Sequence, residues 1–130
     1  MTKKLTLGKN ERLKSRKLIE QLFSEGKKFV IHPYRVFYIL EKKEQPQLQF
    51  GVGVSSRNFK KAVDRNRVKR LVKESYRLQK NQLQDKIKNE QCQLNIFVIY
   101  TAKELPDYTT TFETMTKVLD KLIVILGEKK

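Results

Sequence analysis

The sequence has one cysteine, one histidine, three prolines, five glycines and no tryptophan. A lone Cys92 excludes an intramolecular disulfide, which suits a reducing compartment, and the expected location is the cytoplasm. Cys92 sits between Gln91 and Gln93, without the ligand spacing of a zinc site. His32, beside Pro33, reads as a surface or packing residue. Carboxylates do not cluster, so the chain offers neither a metal-ligand set nor a paired acid and base, and no catalytic residue is assigned to it. No apolar run approaches the ~20 residues of a membrane-spanning helix; Leu122 to Leu126 gives five. The first residues, MTKKLTLGKNERLK, are basic but lack an apolar core, so no signal peptide is expected. Neither a repeat nor a Pro/Ser/Gly linker divides the chain. A single domain is expected over residues 1–130, with 1–11 and 127–130 as loose tails.

Acidic residues are the remaining scarcity. Fourteen Asp and Glu stand against 29 Lys and Arg, a formal net charge of +15. A compact body of that charge repels itself, and a polyanion relieves the repulsion. Nucleic acid comes first as partner, an anionic membrane second. Apolar residues still make up 38% of the chain, enough for one core.

The elements follow from periodicity. Ser15 can cap a helix running through Ser24, with Leu18, Ile19, Leu22 and Phe23 at helical spacing and Gly26 as the stop. YRVFYIL (34–40) reads as a strand, and a further short strand fits near 28–32. In the next strand, 47–55, Leu48, Phe50, Val52 and Val54 face one side and Gln49, Gly51 and Gly53 the other. Glycines there mark either close approach by a ligand or another backbone, or a bulge or tight helix packing. GVGV lacks the spacing of a phosphate loop. A basic helix follows over 61–80, extending toward Lys88 in its longest reading, then a strand covered on both faces at 94–100. Thr110 and Glu113 suggest a capping box for a last helix whose stripe is Phe112, Met115, Leu119, Leu122 and Leu126. The order α-β-β-β-α-β-α predicts an α+β fold, a two-layer α/β sandwich with a βαβ crossover.

The helix AVDRNRVKRLVKESYR (62–77) carries the functional signal. At 100° per residue, Val68, Leu71, Val72, Ser75 and Leu78 form a core stripe. Asn66, Lys69, Arg70, Lys73, Arg77 and Lys80 fall opposite, and Arg65 and Arg67 take the two shoulders. From Lys60 to Lys80 there are nine basic residues and two acidic ones, Asp64 and Glu74. A merely solvated helix mixes signs, because like charges at i,i+4, here Lys69–Lys73 and Lys73–Arg77, cost a few tenths of a kcal/mol each. Phosphate contacts reverse those costs, and arginine's planar fork suits phosphate. A membrane-surface helix fits less well, since the apolar stripe has neither Trp nor Phe and the core needs it. Asp64 reads as a helix cap. In the strand 34–40, Tyr38 shares a face with Tyr34, Val36 and Leu40, while Phe37 and Ile39 point the other way. One face must meet helices; an open Tyr38 could stack on unpaired bases.

AVDRNRVKRLVKESYR resembles the signature helix of the bacterial ribonuclease P protein component, with its Arg-Asn-Arg core. GVGVSSRNFKKAV (51–63) resembles the strand and loop leading into it, and RLKSRKLIEQLFSEG (12–26) the family's first helix. The resemblance implies the family's ribosomal protein S5 domain 2-like fold with a left-handed crossover. It implies a protein, monomeric within its complex and off the membrane, that binds a catalytic RNA subunit and precursor tRNA. The RNA performs Mg²⁺-dependent removal of the 5′ leader and binds most of that metal; the protein alone holds none. Carried over, the residues facing the RNA subunit are Arg57, Lys60, Lys61, Arg65, Asn66, Arg67, Lys69, Arg70, Lys73 and Arg77. Those facing the leader are Arg12, Ile19, Phe23 and Tyr38, with Ile19 standing where relatives often have Phe. Two other classes share the charge pattern: a ribosomal or ribosome-associated rRNA-binding protein, and a DNA-binding regulator. The latter lacks a helix-turn-helix pair before the basic helix.

Overall fold

The structure, a computed structural model, describes residues 11–128. The expected tails therefore lie outside the described residues, apart from Glu11 and 127–128, which are placed in the fold. The elements are α1 (Arg16–Glu25), β1 (Lys27–Ile31), β2 (Tyr34–Lys42), β3 (Gln47–Val54), α2 (Ala62–Gln79), α3 (Asn81–Glu90), β4 (Cys92–Tyr100) and α4 (Tyr108–Glu128). The strands form one sheet in the order β1-β2-β4-β3. β1–β2 and β2–β4 are antiparallel, whereas β3 and β4 run parallel and are joined by the α2–α3 crossover.

Strand alternation divides the sheet into two apolar faces. Tyr34, Val36, Tyr38, Phe50, Ile96 and Val98 point into the larger core, against α2, α3 and α4. Phe37, Ile39, Phe97 and Ile99 point to the other face, where α1 lies with Leu13, Leu18, Ile19 and Leu22. Helix α1 and Leu13 just ahead of it cover that second face, which leaves part of it open.

Local chemistry explains the boundaries, with two departures from the sequence reading. Ser15 caps α1, accepting from the Leu18 N–H at 3.3 Å, and the Gly26 N–H closes the helix on the Leu22 carbonyl. Helix α4 is capped by Asp107 rather than by a Thr110–Glu113 box: the Asp107 carboxylate accepts from the Thr110 N–H at 2.7 Å. That bond holds the Asp107 carboxyl below the usual carboxylate range. Similarly, Asp64 is not the cap of α2. The N-cap is Lys61, without a side-chain bond, and Asp64 sits in the first turn, where the helix dipole favours it.

The basic segment is two helices, and Lys80 sits at their junction. It was expected on the solvated face, yet Lys80 is 1% exposed. Its Nζ donates to Glu11 Oε1 at 2.7 Å, and Gln84 donates to the same carboxylate. The pair ties the start of the described chain to the α2–α3 corner. Removing one partner of a buried pair leaves the other unpaired. Because Glu11 keeps partial solvent access, Lys80→Ala should cost about 2 kcal/mol and lower Tm by roughly 7 °C in a thermal melt.

The candidate RNA interface

Residues 12–15 form an extended strap along the outer edge of β3. The Leu13 N–H donates to the Phe50 carbonyl at 3.0 Å, and Arg12 pairs with Phe50 as a parallel bridge. Consecutive residues of an extended chain point to opposite sides. Leu13 accordingly enters the α1-side cluster, and Arg12 lines a groove on the α2 side. The strap thus joins two surfaces of different chemistry around the sheet edge.

The first surface is cationic. Arg12, Asn66, Lys69, Arg70, Lys73, Glu74 and Arg77 line an open groove of about 400 Å³. Val68, Val72, Ser75 and Tyr76 seat α2 from beneath, with the Tyr76 ring stacked on Phe50 at 3.9 Å and 6°. Tyr76 was missed from the predicted core stripe, whose Leu71 and Leu78 are only partly buried. Asn66, Arg67, Arg70 and Lys73 are exposed and Lys69 half-exposed. Partial burial holds the Lys73 ammonium below its ordinary range, helped by repulsion from Lys69, Arg12 and Lys14. That repulsion is the electrostatic cost that an anion in the groove would remove. Arg77 is partly engaged, since its guanidinium forks onto Glu74, with Nε donating at 3.1 Å. Arg57, Lys60 and Lys61 project from the loop ahead of α2, and Arg65 turns back onto that loop.

The second surface is aromatic. Phe23 of α1, 46% exposed, meets Phe37 at 4.9 Å and 62°, and Phe97 at 5.5 Å and 76°. Phe37 and Phe97 are directly paired across β2 and β4. Beneath them lie Gly51 and Gly53. A Cβ on Gly51 would stand 2.8 Å from Phe97 Cδ1 and 3.1 Å from the Leu13 carbonyl; one on Gly53 would stand 3.0 Å from the Phe97 ring. The two glycines therefore make room for the Phe97 ring and, at Gly51, for the approach of another backbone, the strap, rather than for a helix or a bulge. Gly51→Ala should cost about 1–2 kcal/mol through overpacking, read as a lower denaturant midpoint at unchanged m.

The residues expected at the leader separate in space. Ile19 and Phe23 share the α1 side. Arg12 joins the cationic groove instead. Tyr38 is 7% exposed and belongs to the opposite core, packed near Phe29 with ring centroids 5.9 Å apart. It offers no stacking surface. Alternation had separated Phe37 from Tyr38 correctly, but the larger helical layer covers the Tyr38 side. Pairing a bulky residue on β4 with the glycines of β3 was the signal that could have located Phe97.

Other reactive candidates fall away on position. Cys92 is buried, bonds the Ile87 carbonyl, and its thiol is pushed up by that burial. His32 is exposed in the β1–β2 turn. Among the described residues, no group of three His, Cys, Asp or Glu side chains could hold a metal ion, and no helix is long and apolar enough to cross a membrane.

A four-stranded sheet with a cationic helix on one face and an aromatic shelf on the other defines a small α+β protein with one strongly cationic side. Comparison with known proteins narrows this. The family model described as Ribonuclease P matches residues 7–125. The chain is 41% identical to the ribonuclease P protein component of Porphyromonas gingivalis over 125 residues, covering 94% of this chain and 91% of that one. It is 31% identical to the Bacillus cereus component over 122 residues, covering 94% and 96%. Among solved structures, the Thermotoga maritima RNase P protein superposes with TM-score 0.65 at 26% identity, covering 85% of this chain and 96% of that one. The Staphylococcus aureus RNase P protein shares the fold at TM-score 0.70 and 20% identity, covering 88% and 96%. The chain belongs to the bacterial ribonuclease P protein family.

Proposed function

We propose that this protein is the protein subunit of a ribonuclease P ribonucleoprotein, working in the cytoplasm on precursor tRNA. The outer side of α2 and the loop before it dock on the catalytic RNA subunit. The exposed ring of Phe23, seated on buried Phe37 and half-buried Phe97, holds the unpaired 5′ leader by stacking, which tolerates any base because every base has a π-face. The endonucleolytic hydrolysis is carried by the RNA subunit, which also binds most of the Mg²⁺. The protein's part is to bind, orient and neutralise: cations beside the RNA lower phosphate repulsion that metal ions would otherwise have to screen.

The single observation that carries this reading is the groove where Arg12 and the Arg-Asn-Arg helix concentrate positive charge on one side of a packed core. It is tested by adding the purified protein to ribonuclease P RNA and precursor tRNA across a Mg²⁺ series. Less Mg²⁺ should then suffice for half-maximal 5′ cleavage. An unchanged Mg²⁺ requirement, at protein concentrations that saturate the RNA, would contradict the proposal and favour an rRNA-binding role.

A further inference from the structure

The loop between β3 and α2, residues 55–61, carries three of the exposed cations: Arg57, Lys60 and Lys61. It contains no proline, so no ring restricts its backbone. Four ties order it instead. The Ser55 carbonyl accepts from the N–H groups of Asn58 and Phe59 at 3.2 and 3.1 Å, and Ser55 Oγ accepts from the Arg57 N–H at 3.1 Å. Asn58 Nδ2 donates to the Thr101 carbonyl at 3.1 Å. Phe59 is buried, its ring 6.1 Å from that of Tyr100. The fourth tie comes from the signature helix itself: Arg65 Nη1 donates to the carbonyls of Phe59 and Lys60, at 2.8 and 2.9 Å.

Those two carbonyls immediately precede Lys61, the N-cap that makes no side-chain cap bond. The helix dipole disfavours a cation in the first turn. Arg65 offsets that by placing its charge against two carbonyl oxygens of the entering chain, and charge-assisted bonds of this kind are stronger than neutral ones. Its neighbours differ. Asn66 and Arg67 are exposed, whereas Arg65 is half-buried. Swinging the Arg65 guanidinium fully toward an external phosphate would forfeit both bonds.

We infer that Arg65 is a positioning residue, clamping the 55–61 loop to the first turn of α2 so that Arg57, Lys60 and Lys61 meet RNA as one preset group. The RNA half of this inference rests on the function proposed above; the clamp itself is measurable in the free protein.

Amide hydrogen exchange tests the clamp without RNA. In Arg65→Ala, exchange at Arg57, Asn58 and Phe59 should accelerate about tenfold, the worth of one hydrogen bond, while β2 and β4 amides stay protected. Arg67→Ala should leave the loop unchanged. Should Arg65→Ala loosen the sheet as well, Arg65→Gln, which retains a shorter donor, should still raise loop exchange selectively. Loop exchange unchanged in both variants overturns the clamp. A double-mutant cycle then measures Lys60→Ala binding to ribonuclease P RNA in the wild-type and Arg65→Ala backgrounds. Preset geometry predicts a coupling of at least about threefold, with no rescue by Arg65→Lys, which keeps the charge but not the fork. Additive losses with rescue by lysine would make Arg65 a plain phosphate contact and overturn the inference. Faster loop exchange in a protein that binds no ribonuclease P RNA would uphold the clamp and overturn the function it rests on.

Discussion

Replacing Arg67, Lys69, Arg70 and Lys73 together by alanine should weaken binding to ribonuclease P RNA by roughly two to three decades while leaving the fold intact. The four side chains lie on the outer side of α2, and none belongs to its buried stripe of Val68, Val72, Ser75 and Tyr76. Alanine at these sites also removes the like-charge pair Lys69–Lys73, so helix stability should rise slightly. The loss must therefore come from the RNA side. If each cation neutralises one phosphate, the slope of log K against log salt should flatten by about three. A filter-binding series from 50 to 200 mM salt reads both numbers. Equal weakening at every salt concentration would point to a shape or packing defect instead.

Loss of the exposed ring is the second large effect. Phe23→Ala should reduce the preference for precursor over mature tRNA by about 5- to 150-fold, equivalent to about 1–3 kcal/mol of stacking on one base. Binding to the RNA subunit alone should be unaffected, because Phe23 lies on the sheet face away from α2. Phe23→Leu is the informative control: it keeps apolar bulk against Phe37 and Phe97 but loses the flat face. If leucine preserves the preference, the shelf acts by general apolar contact and not by stacking. Tyr38→Phe should leave the preference untouched, as its ring is enclosed in the opposite core.

The contrast between Tyr38 and Phe37 shows what sequence patterning can and cannot deliver. Alternation along β2 separated the two side chains onto opposite faces, as a period of two requires. It carried no information on which face three helices would cover, since that depends on where α2, α3 and α4 pack. The same limit explains Lys80. Helical spacing placed it beside Lys69 and Lys73, but the helix breaks after Gln79, and the half-buried carboxylate that receives Lys80 belongs to Glu11, distant in sequence. Arg12 illustrates the reverse. The family resemblance implied the leader side, and only the strap's bridge to Phe50 turns it into the α2 groove. Local features fared better, because their determinants are local: the Ser15 cap, the strand alternation at 47–54 and the charge asymmetry of α2 all stand as read. Asp107 was overlooked as a cap because a Thr-x-x-Glu pattern three residues later offered a competing start.

Buried Cys92 leaves a single introduced cysteine as the natural attachment point for a probe. With an iron chelate tethered at Arg70→Cys, hydroxyl-radical cleavage of ribonuclease P RNA in the active, assembled complex reports what faces α2. The account predicts strong cuts confined to one region of the RNA, and none from a chelate at Val124→Cys, 58% exposed on α4. Cleavage from the α4 probe with silence from the α2 probe would contradict it.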